Sequence, residues 1–208
     1  MKTHMCDIIL VGDEMGLHFI HLETGDGKRK FELNNEWEYN NSFFKETIRE
    51  IEEYFQGKRK RFTIKLSPMG TDYQKMVWKE LTGISYGKLN TYKEIAEKIG
   101  NLKAARAVGM ANSKNPIPIV IPCHRVVGVS GKLTGFAYGL EIKEKLINFE
   151  KMITIYDDLK NMIEGSIKSD LELYGEYHAL IVEHAKNFCN KNPKCKGCPL
   201  EIYCEKNI

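Results

Sequence analysis

Over residues 5–33 short apolar segments alternate with turn residues. Cys6-Asp7-Ile8-Ile9-Leu10-Val11-Gly12 and Leu17-His18-Phe19-Ile20-His21-Leu22 read as strands, parted by a turn at Gly12-Asp13 and by Gly16. Thr24-Gly25-Asp26-Gly27 reads as a second turn, and Lys30-Phe31-Glu32-Leu33 as a third strand. The period then changes. Phe43, Ile48, Ile51, Tyr54 and Phe55 recur at helical spacing and stop at Gly57. Lys58-Arg59-Lys60-Arg61 reads as a solvated connection, and Phe62 to Leu66 as a strand. Residues 71–83 form a helix on Tyr73, Met76, Val77, Trp78 and Leu81. Thr91 caps a further helix over 92–99, with Glu94 placed for a capping box and Gly100 as its stop. A second short helix starts near Lys103, so Gly100-Asn101-Leu102 joins a helix-turn-helix pair. Ile119-Val120-Ile121, β-branched and bracketed by prolines, reads as a short buried strand. Farther on, Leu173, Tyr177, Leu180, Ile181, His184 and Phe188 predict an amphipathic helix.

The 208 residues hold one large domain or two to three small ones, and an apolar fraction of 42% is ordinary for a globular chain. Met1 to Asp7 has no apolar core of a signal peptide, and no apolar run approaches the roughly 20 residues that span a bilayer. A cytoplasmic protein with no membrane partner is expected. Six cysteines in a reducing compartment favour catalysis or metal binding over disulfides. The net charge of +3 is modest, but Ile84 to Leu140 carries eight basic residues (Lys88, Lys93, Lys98, Lys103, Arg106, Lys114, Arg125, Lys132) against Glu94 and Glu97, a local net of +6. Such a patch suits salt-sensitive binding to phosphates, although a basic surface alone fits plain solvation equally well.

The apolar run ends in Pro122-Cys123-His124-Arg125-Val126. A thiolate is the nucleophilic form of cysteine, and an adjacent imidazole helps make it. A lone Cys-His pair is compatible with a small buried side chain. Here it follows Ala104-Ala105-Arg106-Ala107-Val108-Gly109 and Asn115-Pro116, and precedes Lys143-Glu144-Lys145-Leu146 and Glu150. In that order these motifs resemble the O6-alkylguanine-DNA alkyltransferases, single-turnover proteins that move an alkyl group from guanine to cysteine. The resemblance is strong over 69–150 and weaker over 1–68, and does not reach 151–208.

It implies a ribonuclease H-like α/β domain over 1–68, here without an acidic nuclease constellation. A mainly α, winged-helix-like domain with the helix-turn-helix follows over 69–151, and a helical, metal-binding extension over 152–208. By resemblance Cys123 attacks the alkyl carbon, His124 takes the thiol proton through a water, Glu150 orients the imidazole, and Asn115 fixes the turn lining the pocket. Arg106 fills the stack left by the extruded nucleotide and Tyr92 crowds its 3′ phosphate. Ala105 allows close approach of the second helix to the minor groove, while Lys114, Arg125 and Lys132 meet the backbone. Val126, Phe136 and Tyr138 line the pocket. Phe136 stands where the family often has tyrosine, and Tyr138 where many members have glycine; the ring of Tyr138 is expected to narrow the pocket or shade its mouth, against bulky benzyl adducts. The implied substrate is double-stranded DNA carrying O6-alkylguanine, with O4-alkylthymine as a second lesion. Alkyl transfer needs no cofactor, and a monomer is expected.

The end of the chain carries Cys189, Cys195, Cys198 and Cys204, spaced C-x5-C-x2-C-x5-C. This resembles the iron–sulfur loop closing endonuclease III-type DNA glycosylases, down to Pro193 and Cys198-Pro199-Leu200, with its first gap one residue short. Four thiolates suit a [4Fe–4S] cluster or tetrahedral zinc, the cluster being the favoured reading. Lys191, Lys194, Lys196 and Lys206 are placed to meet DNA backbone as in that loop. The glycosylase core itself has no counterpart. Two other functions remain in view: a non-catalytic lesion-binding protein, against which the retained Cys123 argues, and a redox- or metal-responsive DNA-binding protein controlled by the tail.

Overall fold

The computed structural model describes residues 1–24, 29, 31, 32, 34–166, 179, 180, 182, 183 and 187. The chain forms two compact units, Met1–Tyr156 and Asp157–Ile208. In the second unit, Leu180 is helical and exposed. Leu173, Tyr177, Ile181, His184, Phe188 and the four tail cysteines lie outside the described residues.

The first unit opens with an antiparallel hairpin of β1 (Asp7–Asp13) and β2 (Gly16–Glu23), which buries Ile8, Leu17, Ile20 and Leu22. Its turn is Glu14-Met15 rather than Gly12-Asp13, with Asp13 Oδ1 accepting from the Met15 amide at 2.7 Å. Gly12 sits at a register shift where an added Cβ would come within 2.6 Å of the Gly16 carbonyl. Phe31 and Glu32 belong to no strand. The expected strand over 62–66 is extended chain that meets the hairpin at one parallel bridge, Leu17 to Leu66, through Leu17 N–H to Lys65 O (2.8 Å) and Ser67 N–H to Leu17 O (2.9 Å).

Helix α1 (Lys45–Phe55) buries Ile51, Tyr54 and Phe55, while Phe43 lies before its start and is exposed. Glu50 is also buried and accepts from the Thr63 amide (2.8 Å) and hydroxyl. The 58–61 connection is solvated at Lys58, Lys60 and Arg61, while Arg59 is half-buried and bonded to Glu53 at 2.7 Å.

Helix α2 (Asp72–Thr82) starts in a capping box between Thr71 and Gln74 and buries Val77, Trp78 and Leu81; Met76 faces out. Trp78 Nε1 donates to Ala111 O at 2.9 Å, joining α2 to the later helix α4 (Ala105–Ser113). Between them a two-residue strand β3 (Asn90–Thr91) leads into α3 (Tyr92–Lys98), whose Thr91–Glu94 capping box forms as expected. Gly100, at φ 78°, ends it in the left-handed conformation that glycine adopts without a Cβ penalty. Helix α3 packs on α4. After α4 come the buried loop 115–122, a 3-10 turn at Cys123–Arg125 and strand β4 (Val126–Val127), parallel to β3. The long helix α5 (Leu140–Ser166) closes the chain's described core with Ile142, Leu146 and Ile147.

Candidate active site

The apolar stretch before the cysteine is a folded loop, not a strand. Pro116, Pro118 and Pro122 deny it three ladder donors. Asn115 winds it instead: its Nδ2 donates to Ile121 O (2.8 Å) and its Oδ1 accepts from the Ile117 amide (3.0 Å). The Ile121 amide reaches back to Ile117 O at 2.9 Å. Ile119 is held at φ 74°, a left-handed conformation that costs a β-branched residue of order 1–3 kcal/mol. The hairpin and Arg29 beyond it brace the loop. Ile20 N–H donates to Pro116 O (2.8 Å), and Arg29 Nη1 to Asn115 O (2.8 Å).

Cys123 emerges from this loop at 4% exposure. Burial pushes its thiol up, while the Asn115 hydrogen bond and the positive charges of Lys143 and Arg29 pull it toward thiolate. Asn112 Nδ2 also donates to the Cys123 carbonyl at 3.3 Å.

Beside it lies a fully buried relay. His124 Nε2 donates to Glu150 Oε1 at 2.9 Å. Arg125 grips the same carboxylate with two bonds, Nε to Oε2 (2.8 Å) and Nη2 to Oε1 (2.9 Å). The Gly87 amide and the Tyr54 hydroxyl donate to Oε2 and Oε1, at 3.1 and 2.8 Å. Burial opposes a charged Glu150, but the donors from His124 and Arg125 outweigh it and hold the carboxyl well below the usual range. Burial lowers the affinity of His124 for a proton against the pull of Glu150, so the imidazole is neutral with Nε2 as the N–H. That leaves Nδ1 as the free lone pair, and it is buried with no hydrogen-bond partner among the described residues.

Arg125 therefore does not meet DNA as the sequence suggested. It is 5% exposed, and its Nη1 is further bonded to Ile84 O at 2.6 Å. Arg106, Lys114 and Lys132 are exposed, Arg106 and Ala105 lying in the first turn of α4. The Tyr92 ring lies against Gly109 of α4, and its hydroxyl donates to Thr134 O at 3.1 Å. Val126 is fully buried. Phe136 is half-buried, its ring 6.0 Å from that of Tyr138. Tyr138 does not stand at an open mouth: it is 1% exposed, donates its hydroxyl to Ile20 O at 3.1 Å, and lies beneath Arg29 at 5.5 Å, with burial pushing its phenol up to about 12.

Residues 1–68 match the ribonuclease-like domain of 6-O-methylguanine DNA methyltransferase, and residues 72–152 match its DNA-binding domain. The methylated-DNA–protein-cysteine methyltransferase of Methanosarcina acetivorans is 52% identical over 143 residues, covering 69% of this chain and 90% of the relative. The chain belongs to the 6-O-methylguanine DNA methyltransferase family. The Methanosarcina barkeri protein of the same name is 54% identical over 144 residues, with the same coverage of each chain. Among solved structures, Mycobacterium tuberculosis OGT in complex with DNA superposes with a TM-score of 0.64 at 38% identity, over 70% of this chain and 87% of that one. The methyltransferase of Methanococcus jannaschii gives a TM-score of 0.53 at 27% identity, over 73% and 92%. The family's architecture, an N-terminal β domain followed by a helical domain, is the one this chain adopts.

Three groups at this methyltransferase site escaped the sequence reading. Lys143 is fully buried, its Nζ donating to Val126 O (2.5 Å) and Thr134 O (2.9 Å), with burial lowering its pKa to about 8. It stands in the Lys143-Glu144-Lys145-Leu146 motif, which gives it no role of its own, and shares a helix face with Ile147 and Glu150. Tyr54 falls in the apolar stripe of α1, where nothing marks its hydroxyl. Arg29 sits in a polar stretch with no motif.

Proposed function

We propose that this protein repairs DNA by moving an alkyl group, chiefly methyl, from O6-alkylguanine to Cys123. The same attack would serve O4-alkylthymine. The observation that carries the reading is a buried cysteine on a braced loop, next in the chain to an imidazole whose Nε2 is bonded to a buried carboxylate. A water between the thiol and His124 Nδ1 would carry the proton away, giving the nucleophile–base–orienter arrangement of catalytic triads. The thiolate attacks the alkyl carbon. The S–C bond forms as the C–O bond breaks, and guanine takes back one proton as it leaves. A thioether has no ready leaving group, so each chain acts once and needs no cofactor.

The lesion lies inside the duplex, so its nucleotide must rotate out. Exposed Arg106 on α4 suits the vacated stack, Tyr92 suits the flanking phosphate, and Lys114 and Lys132 suit the backbone. Val126, Phe136 and Tyr138 suit the pocket wall. We assign 1–68 to the ribonuclease H-like domain, 69–151 to the winged-helix-like DNA-binding domain and 152–208 to the extension. The test uses duplex DNA with a labelled methyl on guanine O6. Label is expected on the wild type and absent from Cys123→Ala, which still binds the duplex. Arg106→Ala is expected to slow transfer from duplex more than from free alkylguanine base; equal losses would remove its role in extrusion.

For the extension, the C-x5-C-x2-C-x5-C spacing supports a [4Fe–4S] cluster on Cys189, Cys195, Cys198 and Cys204. Brown protein with about four irons per chain after anaerobic purification is expected; colourless protein with stoichiometric zinc would assign those thiolates to zinc.

A further inference from the structure

The carboxylate behind the imidazole is shared by more groups than the alkyl-transfer chemistry requires. Glu150 Oε1 takes His124 Nε2 and Arg125 Nη2, each at 2.9 Å, and a third donor at 2.8 Å, the hydroxyl of Tyr54. His124, Arg125 and Glu150 all come from residues 123–150. Tyr54 comes from α1, 96 residues earlier than Glu150, and its side chain is fully buried. Its ring is fixed edge-on to Phe55 and Tyr86, at centroid distances of 5.2 and 5.9 Å, so the phenol has little freedom to point elsewhere.

We propose that Tyr54 is a positioning residue for alkyl transfer, through which the N-terminal module sets the basicity of His124 by withdrawing charge from Glu150 Oε1. This rests on the alkyltransferase reading above. A carboxylate oxygen that receives a phenol hydrogen bond has less charge to offer the imidazolium that forms as the thiol loses its proton. Tyr54 thus opposes Glu150 and keeps His124 neutral and ready as a base. Burial keeps the Tyr54 phenol protonated far above its ordinary range, so it remains a donor throughout. Among the described residues, the other charged groups acting on the imidazole are Arg125 beside it and Lys143 on α5, and neither comes from the N-terminal module.

The test is the pH dependence of the single-turnover rate on duplex containing O6-methylguanine. Tyr54→Phe keeps the ring and removes the donor. Its acid limb is expected to move to higher pH by roughly half a unit or more, because His124 then holds its proton more tightly. A fluorotyrosine installed at position 54, a stronger donor, is expected to move the limb to lower pH. This second variant also decides the matter should Tyr54→Phe fold poorly. Tyr54→Phe with lowered stability but an unmoved limb, or a fluorotyrosine limb that does not shift downward, would reduce Tyr54 to a packing residue. Wild-type protein that transfers no methyl would overturn the alkyltransferase reading itself, and with it this role.

Discussion

At the scale of single residues, one buried carboxylate organises the site: Glu150 takes His124 Nε2 on Oε1 at 2.9 Å and Arg125 Nε on Oε2 at 2.8 Å. Asn115 holds the turn before Cys123 through both ends of its amide. Arg125 reads as a DNA contact in the sequence but is buried against Glu150, and the reason is physical. A cation next to a nucleophile in a basic segment looks like a phosphate contact, and its counter-ion is 25 residues away on another helix. The two assignments predict different behaviour. Arg125→Ala strands a buried carboxylate, so stability is expected to fall by about 3–5 kcal/mol, with the salt dependence of DNA binding unchanged. Lys114→Ala and Lys132→Ala should leave stability within about 0.5 kcal/mol. Each should instead flatten the salt slope by about one. Urea unfolding and binding titrations at several salt concentrations separate the cases.

At the scale of elements, local codes were reliable and tertiary contexts were not. The α3 capping box and the Gly100 stop depend on partners three residues away, Thr91 with Glu94 and the Gly100 amide with Glu97 O, and both form. The strand expected at Ile119–Ile121 did not form. β-branched residues favour extended chain only when a partner strand offers a ladder, and here an asparagine side chain folded the segment upon itself. The 62–66 strand failed likewise for want of more than one bridge. Two substitutions measure these claims. Thr91→Ala is expected to cost about 1 kcal/mol through the lost cap. Asn115→Ala leaves the Ile117 amide buried without its acceptor, while the Ile121 carbonyl keeps only the Cys123 amide at 2.8 Å, so a cost of about 1–3 kcal/mol is expected. It should also slow methyl transfer far more than it weakens DNA binding, because the displaced element carries Cys123 and not α4.

At the scale of the whole molecule, the loop before Cys123 is braced from the N-terminal hairpin at Ile20 and from Arg29 beyond it, and Glu150 on α5 is held from α1 by Tyr54, contacts no linear pattern could disclose. The buried histidines tie this assembly to pH. Burial lowers the proton affinity of His124 and His21, so the unfolded chain protonates first on acidification. The stability they contribute is complete above about 6.5 and is lost as pH falls toward their folded values. His18 runs the other way. Its ring bonds Asp13 at 2.9 Å and Ser67 O at 2.6 Å, which raises its pKa, so its contribution is complete below about 6.5 and is lost as pH rises through the folded value. The melting temperature is expected to fall from about pH 7 to about pH 5, and to fall further in His18→Gln, which lacks the opposing term.

All of this converges on one sulfur. The most direct measurement is intact-mass analysis with peptide mapping after incubation with a molar excess of duplex containing O6-methylguanine. The arrangement of Cys123, His124 and Glu150 predicts a single added methyl per chain, on the peptide containing Cys123, with repair stopping once every chain is modified. Repair that continues past one lesion per chain, or a methyl mapped to another cysteine, would contradict it.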